Sequence, residues 1–217
     1  MKKLIVSITV LTLCFASCKD ETKEPMEADN AIATDSIAIE EPETPEAPMD
    51  SIAMHKAWEA YMTPSEPHQM MAEEVGKWNN DMTFWMGAGS EPSKATSTAE
   101  IKMILGGRYQ ESTHKGDMMG MPFEGRSTVA FDNATKETIS TWIDNMGTGM
   151  MVLRGIYDPA TKVITSHGTM VDPMTGKERK VREIYTFVDE NTRKLEMFET
   201  LEGSEEYKSM EIIMKRA

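Results

Sequence analysis

Two carboxylate side chains lie where they could take part in chemistry inside a folded domain. Asp144 follows Trp142 by two residues, and Glu183 precedes Tyr185 by two. Residues two positions apart in a strand share a face, so each carboxyl group should lie beside an aromatic ring. A buried carboxylate needs a cationic partner. The candidate partners are Arg126, Arg154 and Arg182. We expect structural ion pairs and not acid–base catalysis, because no nucleophile or second positioned base accompanies these acids.

The short motifs that identify common catalytic centres are missing from the sequence. It has no Gly-x-Ser-x-Gly nucleophile elbow, no phosphate-binding glycine loop and no His-Glu-x-x-His metal motif. Both cysteines, Cys14 and Cys18, lie near the N-terminus, so the folded domain has no cysteine nucleophile. We therefore expect a protein that is not an enzyme and needs no cofactor.

Methionine is unusually frequent, at 21 of 217 residues. The methionines of two glycine-bearing loops are Met118, Met119, Met121, Met146, Met150 and Met151. Thioethers bind soft ions such as Cu(I), and His114 or His167 could add imidazole ligands. The spacings match no metal motif, however, and methionine commonly fills adaptable apolar surfaces. We expect a flexible apolar rim built from these loops, and no metal site.

The overall charge disfavours one class of partner. The formal net charge is −13 at pH 7. Nucleic-acid binding requires clusters of Lys and Arg that neutralise phosphates, and the sequence shows no such cluster. We therefore expect no nucleic-acid partner.

The first residues are typical of a secretory signal peptide. Residues 1–17 contain two lysines followed by an apolar run, Leu4 to Ala16, that is too short to cross a bilayer stably. Phe15-Ala16-Ser17-Cys18 resembles the lipobox of bacterial lipoproteins. The resemblance implies that Cys18 becomes the N-terminus and carries acyl chains such as palmitate, and that Cys14 is removed. An ordinary signal peptide with a chance cysteine is the alternative.

These features predict a protein held at the cell envelope by lipid. With Cys18 acylated, no cysteine remains for an intramolecular disulfide, and the membrane is the expected partner through this residue. Lys19-Asp20-Glu21 resembles the acidic signal that directs some lipoproteins to the outer surface of the outer membrane. We therefore expect an outer-membrane lipoprotein that is exposed at the surface.

A tether should separate the lipid from the folded domain. Lys19 to Met54 holds eleven of the chain's 36 acidic residues and four of its 10 prolines, with no aromatic residue. Such a segment cannot bury enough apolar surface to offset its chain entropy and should be disordered. We interpret residues 18–49 as a lipidated N-terminus followed by a solvated spacer. A protein-binding acidic tail is the alternative.

Two short helices are predicted for residues 50–76. Apolar residues recur at helical spacing from Ile52 until Pro64. Ser65 can then cap a second helix that ends at Gly76. We expect the apolar stripe of these helices to serve packing rather than docking of a partner.

About ten strand-like runs follow within residues 77–217. They are Trp78 to Met86, Ser97 to Leu105, Tyr109 to Lys115, Phe123 to Phe131, Thr138 to Asp144, Met150 to Tyr157, Val163 to Met170, Lys180 to Val188, Lys194 to Glu199, and Tyr207 to Lys215. Short polar or glycine-bearing turns join them, and no long amphipathic helix intervenes. The predicted fold is therefore all-β, an antiparallel meander that removes its free edges by closing into a barrel.

Seven short segments of residues 67–217 follow one another in a characteristic order: Gly76-Lys77-Trp78, Leu105-Gly106-Gly107-Arg108, Phe123-Glu124-Gly125, Phe131-Asp132-Asn133, Thr141-Trp142-Ile143-Asp144, Gly155-Ile156-Tyr157-Asp158, and Gly168 to Gly176. In these segments the chain resembles a mostly secreted bacterial family called domain of unknown function 1579 (DUF1579). Gly-x-Trp also resembles the opening motif of lipocalins. The resemblance implies a lipocalin-like, calycin-type barrel and no particular activity. Phe131 departs from the family, which often has tyrosine there.

A barrel of eight or more strands can enclose one small ligand. The residues expected inside are Trp85, Tyr109, Phe131, Trp142, Asp144, Tyr185 and Phe198. They could line a binding site for a small apolar or amphipathic molecule. Alternatively, the aromatic rings fill the interior, and the methionine rim contacts another envelope protein. An enzyme that acts on such a ligand is the third hypothesis.

Overall fold

The computed structural model describes residues 50–217. The predicted signal peptide, the lipidation of Cys18 and the acidic tether fall outside this part of the chain. Within residues 50–217, no helix is long and apolar enough to cross a membrane.

Two helices precede the sheet, as predicted: α1 spans Ser51–Met62 and α2 spans Glu66–Glu73. Helix α1 begins where the Asp50 carboxylate accepts a hydrogen bond from the Ile52 backbone N–H at 2.8 Å. Helix α2 begins with a capping box in which His68 Nδ1 accepts from the Ser65 N–H at 2.9 Å.

The packing expected of these helices is confirmed for α2 and wrong for α1. Helix α2 buries His68 and Met71, whereas no residue of α1 is buried. Trp58 and Tyr61 of α1 are 58% and 48% exposed, and their rings meet edge to face with centroids 5.8 Å apart. The difference arises because α2 contacts two strands of the sheet.

Ten antiparallel strands form a closed barrel, which confirms the predicted fold. They are β1 Gly76–Phe84, β2 Ser93–Ile104, β3 Tyr109–Met118, β4 Met121–Phe131, β5 Thr138–Asp144, β6 Met151–Asp158, β7 Val163–Val171, β8 Glu178–Asp189, β9 Thr192–Leu201 and β10 Tyr207–Arg216. Consecutive strands pair with each other, and β1 also pairs with β10. Closure leaves no strand with free backbone N–H and C=O groups.

Trp78 and Arg216 secure the seam between the first and last strands. They are paired across β1 and β10, and the Arg216 guanidinium carbon lies 4.5 Å from the Trp78 ring centroid. Arg216 also donates to the backbone carbonyls of Glu73 and Val75. One side chain therefore joins the end of the chain to the segment that leads from α2 into the barrel.

Each of five consecutive strands has an aspartate as its last residue or immediately after it, and this aspartate caps the following turn. In each case the carboxylate accepts a hydrogen bond from the backbone N–H two residues later, at 2.7 to 2.9 Å. These residues are Asp132, Asp144, Asp158, Asp172 and Asp189. An aspartate in this position favours a tight turn. The repeated aspartate cap therefore accounts for the short connections between these strands.

The two ends of the barrel are built differently. At the helix end, the C-terminal end of α1 lies against two turns: Arg108 donates to the Met62 carbonyl at 3.0 Å, and Asn133 donates to the Thr63 carbonyl at 2.8 Å. At the turn end, within the described residues, the strands are joined by loops alone: 85–92, 119–120, 145–150, 172–177 and 202–206.

Candidate functional site

The barrel interior contains two packed clusters and, beside them, a set of residues that is only half-buried. The larger cluster lies on β1, β2 and β10 and buries Trp78, Met82, Ala99, Ile101, Ile212 and Met214. The smaller cluster lies on β6, β8 and β9 and buries Leu153, Val181 and Met197. On β4, β5 and β8, by contrast, although Phe123, Thr138 and Val181 are buried, some of the other inward residues remain only half-buried. We call this group the interior site: Ser127, Ser140, Trp142, Glu183 and Tyr185. Side chains enclosed by a closed sheet keep accessible surface only beside unfilled space.

Trp142 is held on the inner wall by its neighbours. Its Nε1–H donates to Asp144 Oδ2 at 2.7 Å, and Asp144 Oδ1 accepts from the Met146 N–H at 2.9 Å. The ring lies across Gly125, where an added Cβ would come within 2.4 Å of Trp142 Cζ2. Glycine at position 125 therefore allows the indole to lie flat on the adjacent strand.

A neutral histidine completes this wall. The His114 ring meets the Trp142 ring edge to face, with centroids 5.0 Å apart, and burial lowers the pKa of His114 to about 4. The neutral ring has one donor and one acceptor. Asn80 Nδ2 lies 3.5 Å from His114 Nδ1, and Ser112 Oγ lies 2.9 Å from Nε2. Since the Asn80 amide nitrogen can only donate, Nδ1 accepts and Nε2 donates to Ser112.

Asn80, which lies beside His114, has a side-chain oxygen without a hydrogen-bond partner in residues 50–217. Its side chain is 2% exposed, and its Nδ2 donates to Ser97 Oγ at 3.0 Å. Among the described residues, Asn80 Oδ1 is buried without a hydrogen-bond partner. Asn80 also borders a shallow depression between β1, β2 and β3, which contains no interior-site residue.

Glu183 is the acid of the interior site. It pairs with Ser166 on β7 and Met197 on β9, and burial raises the pKa of Glu183 to about 7. At neutral pH the carboxyl group is therefore divided between its protonated and ionised forms.

A buried ionic cluster closes the helix end below this site. Glu74 accepts from Arg193 Nε at 2.7 Å, from Tyr185 Oη at 2.8 Å and from Gln110 Nε2 at 3.0 Å. The Glu74 carbonyl accepts from Trp78 Nε1 at 2.8 Å. Glu74 and Arg193 side chains are only 6% and 4% exposed, so the pair is largely removed from water. The hydrogen bond from Tyr185 to Glu74 fixes the Tyr185 ring at the helix end of the interior site.

The structure brings four of the predicted site residues inside the barrel. Trp142 and Asp144 lie on β5, and Tyr185 lies on β8. Phe131 lies at the helix end, where its ring meets that of His68 with centroids 5.9 Å apart. Binding of a ligand by these residues stays a prediction.

Three aromatic residues expected inside are instead on the outer surface, so their predicted placement is wrong. Tyr109 is 37% exposed and alternates with the buried Gln110. Phe198 alternates with two buried neighbours and stacks on Arg182 at 4.2 Å. Trp85 lies near Lys208, 5.8 Å from the ring centroid. Alternation places residues on opposite faces but does not say which face is the inner one.

The arginine partners proposed for the two acids are also wrong. Arg126 lies 3.8 Å from Glu124, Arg154 lies 3.2 Å from Glu137, and Arg182 pairs with Glu206. Asp144 instead accepts from an indole N–H and a backbone N–H. These three arginines lie on the outward-facing positions of their strands, so they cannot reach acids on the inner wall.

The loop methionines lie at the turn end. Met119, Met121, Met146 and Met150 are exposed, with Met119 at 82%. Met118 and Met151 are half-buried and pack against the two core clusters. Met86 and Met174, also at this end, are 82% and 83% exposed. Contact of this rim with a ligand or a protein stays a prediction.

Several features of the site were not found from the sequence. Glu74 and Arg193 were missed because they are 119 residues apart and meet only through barrel closure. Asn80 and Ser112 give no motif, although alternation with Gln110 could have placed Ser112 and His114 on one face. In the part of the chain that the structure describes, no group of three His, Cys, Asp or Glu side chains could hold a metal ion.

Comparison with known proteins identifies the family and the fold. The profile described as "Protein of unknown function (DUF1579)" matches residues 63–216. The S-type phycobiliprotein lyase CPES from Guillardia theta superposes with a TM-score of 0.52 at 9% identity, covering 70% of this chain and 93% of that chain. Rv2717c from M. tuberculosis superposes with a TM-score of 0.52 at 10% identity, covering 71% and 99%. At such identities the likeness concerns the fold alone. No curated protein sequence matched.

Proposed function

We propose that this protein, which belongs to the DUF1579 family, binds a small apolar or amphipathic molecule in the interior site without catalysing a reaction. The observation that carries the proposal is the half-buried state of Trp142, Glu183 and Tyr185 inside a closed barrel. A barrel filled by its own side chains would bury these residues, as it buries Trp78.

The composition of the interior site suits such a ligand. Small-molecule sites are mostly apolar, with a few polar groups that fix orientation. Here the Trp142 ring supplies an apolar face, while Ser127, Ser140 and Glu183 supply hydroxyl and carboxyl groups. A molecule with an apolar body and a polar head would satisfy both kinds of surface.

We expect the full chain to bind the neutral probe 1-octanol and Trp142→Ala to bind it about tenfold more weakly. Loss of the indole removes apolar contact worth about 1–3 kcal/mol, and 1.4 kcal/mol corresponds to a factor of ten. Isothermal titration calorimetry at pH 7 would measure both dissociation constants. Native mass spectrometry of detergent-free protein, followed by organic extraction, would identify any ligand retained from the cell.

Trp85→Ala is the matched control because Trp85 lies on the outer face. It should bind 1-octanol as the parent chain does. Equal weakening by both substitutions, with circular dichroism showing both variants folded, would indicate adsorption to the surface. Absence of any binding would contradict a ligand site in the barrel.

The exposed methionine rim supports a second candidate function. Met119 and Met174 are more than four-fifths exposed at the turn end, and flexible methionine surfaces suit protein partners. An envelope protein that docks on this rim would become the favoured partner if the interior site proved empty.

We further propose that the protein is a lipoprotein anchored through Cys18 in the outer membrane. The support is the lipobox-like Phe15-Ala16-Ser17-Cys18 and the acidic residues that follow it. Cys18→Ser should move the protein from the membrane fraction to the soluble envelope fraction and abolish labelling with radioactive palmitate. An immunoblot of both fractions would measure the shift. The Cys14→Ser variant, which changes the other cysteine, should remain in the membrane fraction, and persistent membrane association of Cys18→Ser would contradict the anchor.

A further inference from the structure

We propose that the ligand of the interior site carries a cationic amine and that the Glu183 carboxylate accepts it. This inference rests on the proposed function and specifies the chemical class of the ligand. It follows from the position of Glu183 between two ionic clusters whose cations are already bound to other acids.

Glu183 faces the interior from the middle of β8. Its neighbours across the sheet are Ser166 and Met197, and its neighbours on the same face of the strand are Val181 and Tyr185. Among residues 50–217, no salt bridge or hydrogen bond reaches its carboxylate. A carboxyl group in such surroundings lacks the partner that a buried charge needs.

The cation on the helix-end side of Glu183 is unavailable. Arg193 donates Nε to Glu74 at 2.7 Å and Nη1 to the backbone carbonyls of Asp189 and Thr192. The hydroxyl of Tyr185, the other titratable group on this side, donates to Glu74. This cluster therefore satisfies its own charges and leaves none for Glu183.

The cation on the turn-end side is also occupied. Arg179 donates to Asp172 through Nε at 2.9 Å, to Glu199 through Nη1 at 2.7 Å and to the Tyr207 hydroxyl at 3.2 Å. Across β7, the facing residue is Ser166, which carries no charge. The protein thus places a half-buried carboxyl group beside the buried Val181 and Met197 without supplying its counter-ion.

A cationic ligand would supply that counter-ion. An amine on an apolar chain can donate charge-assisted hydrogen bonds to Glu183 and can also interact favourably with the face of Trp142. A carboxylate ligand would be repelled by Glu183 once this group ionises. Burial raises the pKa of Glu183 to about 7, and a cation bound beside the carboxyl group would lower that pKa and favour the ionised form.

Three probes of equal chain length test the charge preference of the full chain: octylamine, 1-octanol and octanoate. At pH 8 we expect octylamine to bind about tenfold to hundredfold more tightly than 1-octanol, which is the effect of a hydrogen bond to a charged group. Octanoate should bind most weakly. Calorimetric titration gives each affinity and its stoichiometry.

Glu183→Gln should abolish the preference for octylamine over 1-octanol, because the neutral amide cannot pair with the ammonium group. Glu178→Gln is the matched control: it removes the same charge from an exposed position on the same strand. It should retain the preference for octylamine and thereby exclude adsorption of the amine to an acidic surface.

The outcomes separate this inference from the function on which it rests. If 1-octanol binds and octylamine binds no more tightly than 1-octanol, the barrel is a ligand site but the amine assignment is overturned. The same holds if octanoate binds most tightly. Retention of the amine preference in Glu183→Gln would overturn it as well. If no probe binds, the interior site itself is refuted.

Discussion

Glu183→Gln should stabilise the folded protein by about 3 kcal/mol at pH 8 and have little effect at pH 4. Burial raises the pKa of Glu183 from 4.5 to about 7, and each pH unit of such a difference corresponds to 1.36 kcal/mol. Above pH 7 the folded parent must ionise a carboxyl group that its surroundings disfavour, whereas glutamine carries no charge. Urea unfolding followed by circular dichroism, repeated from pH 4 to pH 8, would measure the difference.

The direction in which stability changes with pH follows from proton binding to Glu183. Between about pH 4.5 and pH 7 the folded state holds a proton on Glu183 that the unfolded state has released, so stability falls as pH rises through this range. Below it both states are protonated, and the parent and variant should coincide. A Glu183→Gln variant that is less stable than the parent at pH 8 would show that the carboxylate has a partner. Glu178→Gln, at an exposed position, should leave the pH profile unchanged.

Arg193→Leu should destabilise the protein by about 3–5 kcal/mol at pH 7, because it leaves the buried Glu74 carboxylate without its cation. The two side chains are 4% and 6% exposed, and Arg193 Nε lies 2.7 Å from Glu74 Oε1. The guanidinium also lies 4.9 Å from the Phe187 ring centroid, so its loss removes a cation–π contact. The free energy of unfolding in urea measures the effect.

Arg154→Leu is the matched control for an ion pair in water. Its side chain is 57% exposed and lies 3.2 Å from Glu137, so its loss should cost less than about 1 kcal/mol. The double variant Glu74→Leu/Arg193→Leu should be more stable than the sum of the single changes implies, since it leaves no unpaired charge. Similar losses in Arg193→Leu and Arg154→Leu would contradict the importance of burial.

The barrel surrounds two interior acids, Glu74 and Glu183, with different partners. Glu74 has three side-chain donors and closes the helix end, whereas Glu183 has no bonded partner among the described residues and lowers stability when ionised. A group that reduces stability persists more readily where it serves a function. The contrast therefore supports the role proposed for Glu183 as the polar anchor of a ligand.

Most of the fold was predictable because its signals are local. Strand alternation and the aspartate at the end of each of five strands lie within a few residues of one another, and the turns form between sequence neighbours. The meander and its closure follow from this order and from the need to remove free edges. The chain termini of the barrel meet at Trp78 and Arg216, as closure requires.

The apolar helices show where local signals failed. The spacing of apolar residues predicted both helices but could not distinguish the buried face of α2 from the unpartnered face of α1. Periodicity reports which residues share a face, and burial depends on what lies opposite that face.

The sequence alone therefore determined an antiparallel barrel with two preceding helices, and it singled out Trp142, Asp144, Tyr185 and Glu183. Only the tertiary structure decided that Tyr109 and Phe198 point outward. Alternation along a strand shows which residues share a face, but the way the sheet closes decides which face becomes the interior. The tertiary structure also decided which acids are paired, because Glu74 meets Arg193 and Tyr185 across 119 and 111 residues. Contacts over such separations arise from the curvature and register of the whole sheet, which no short stretch of sequence encodes.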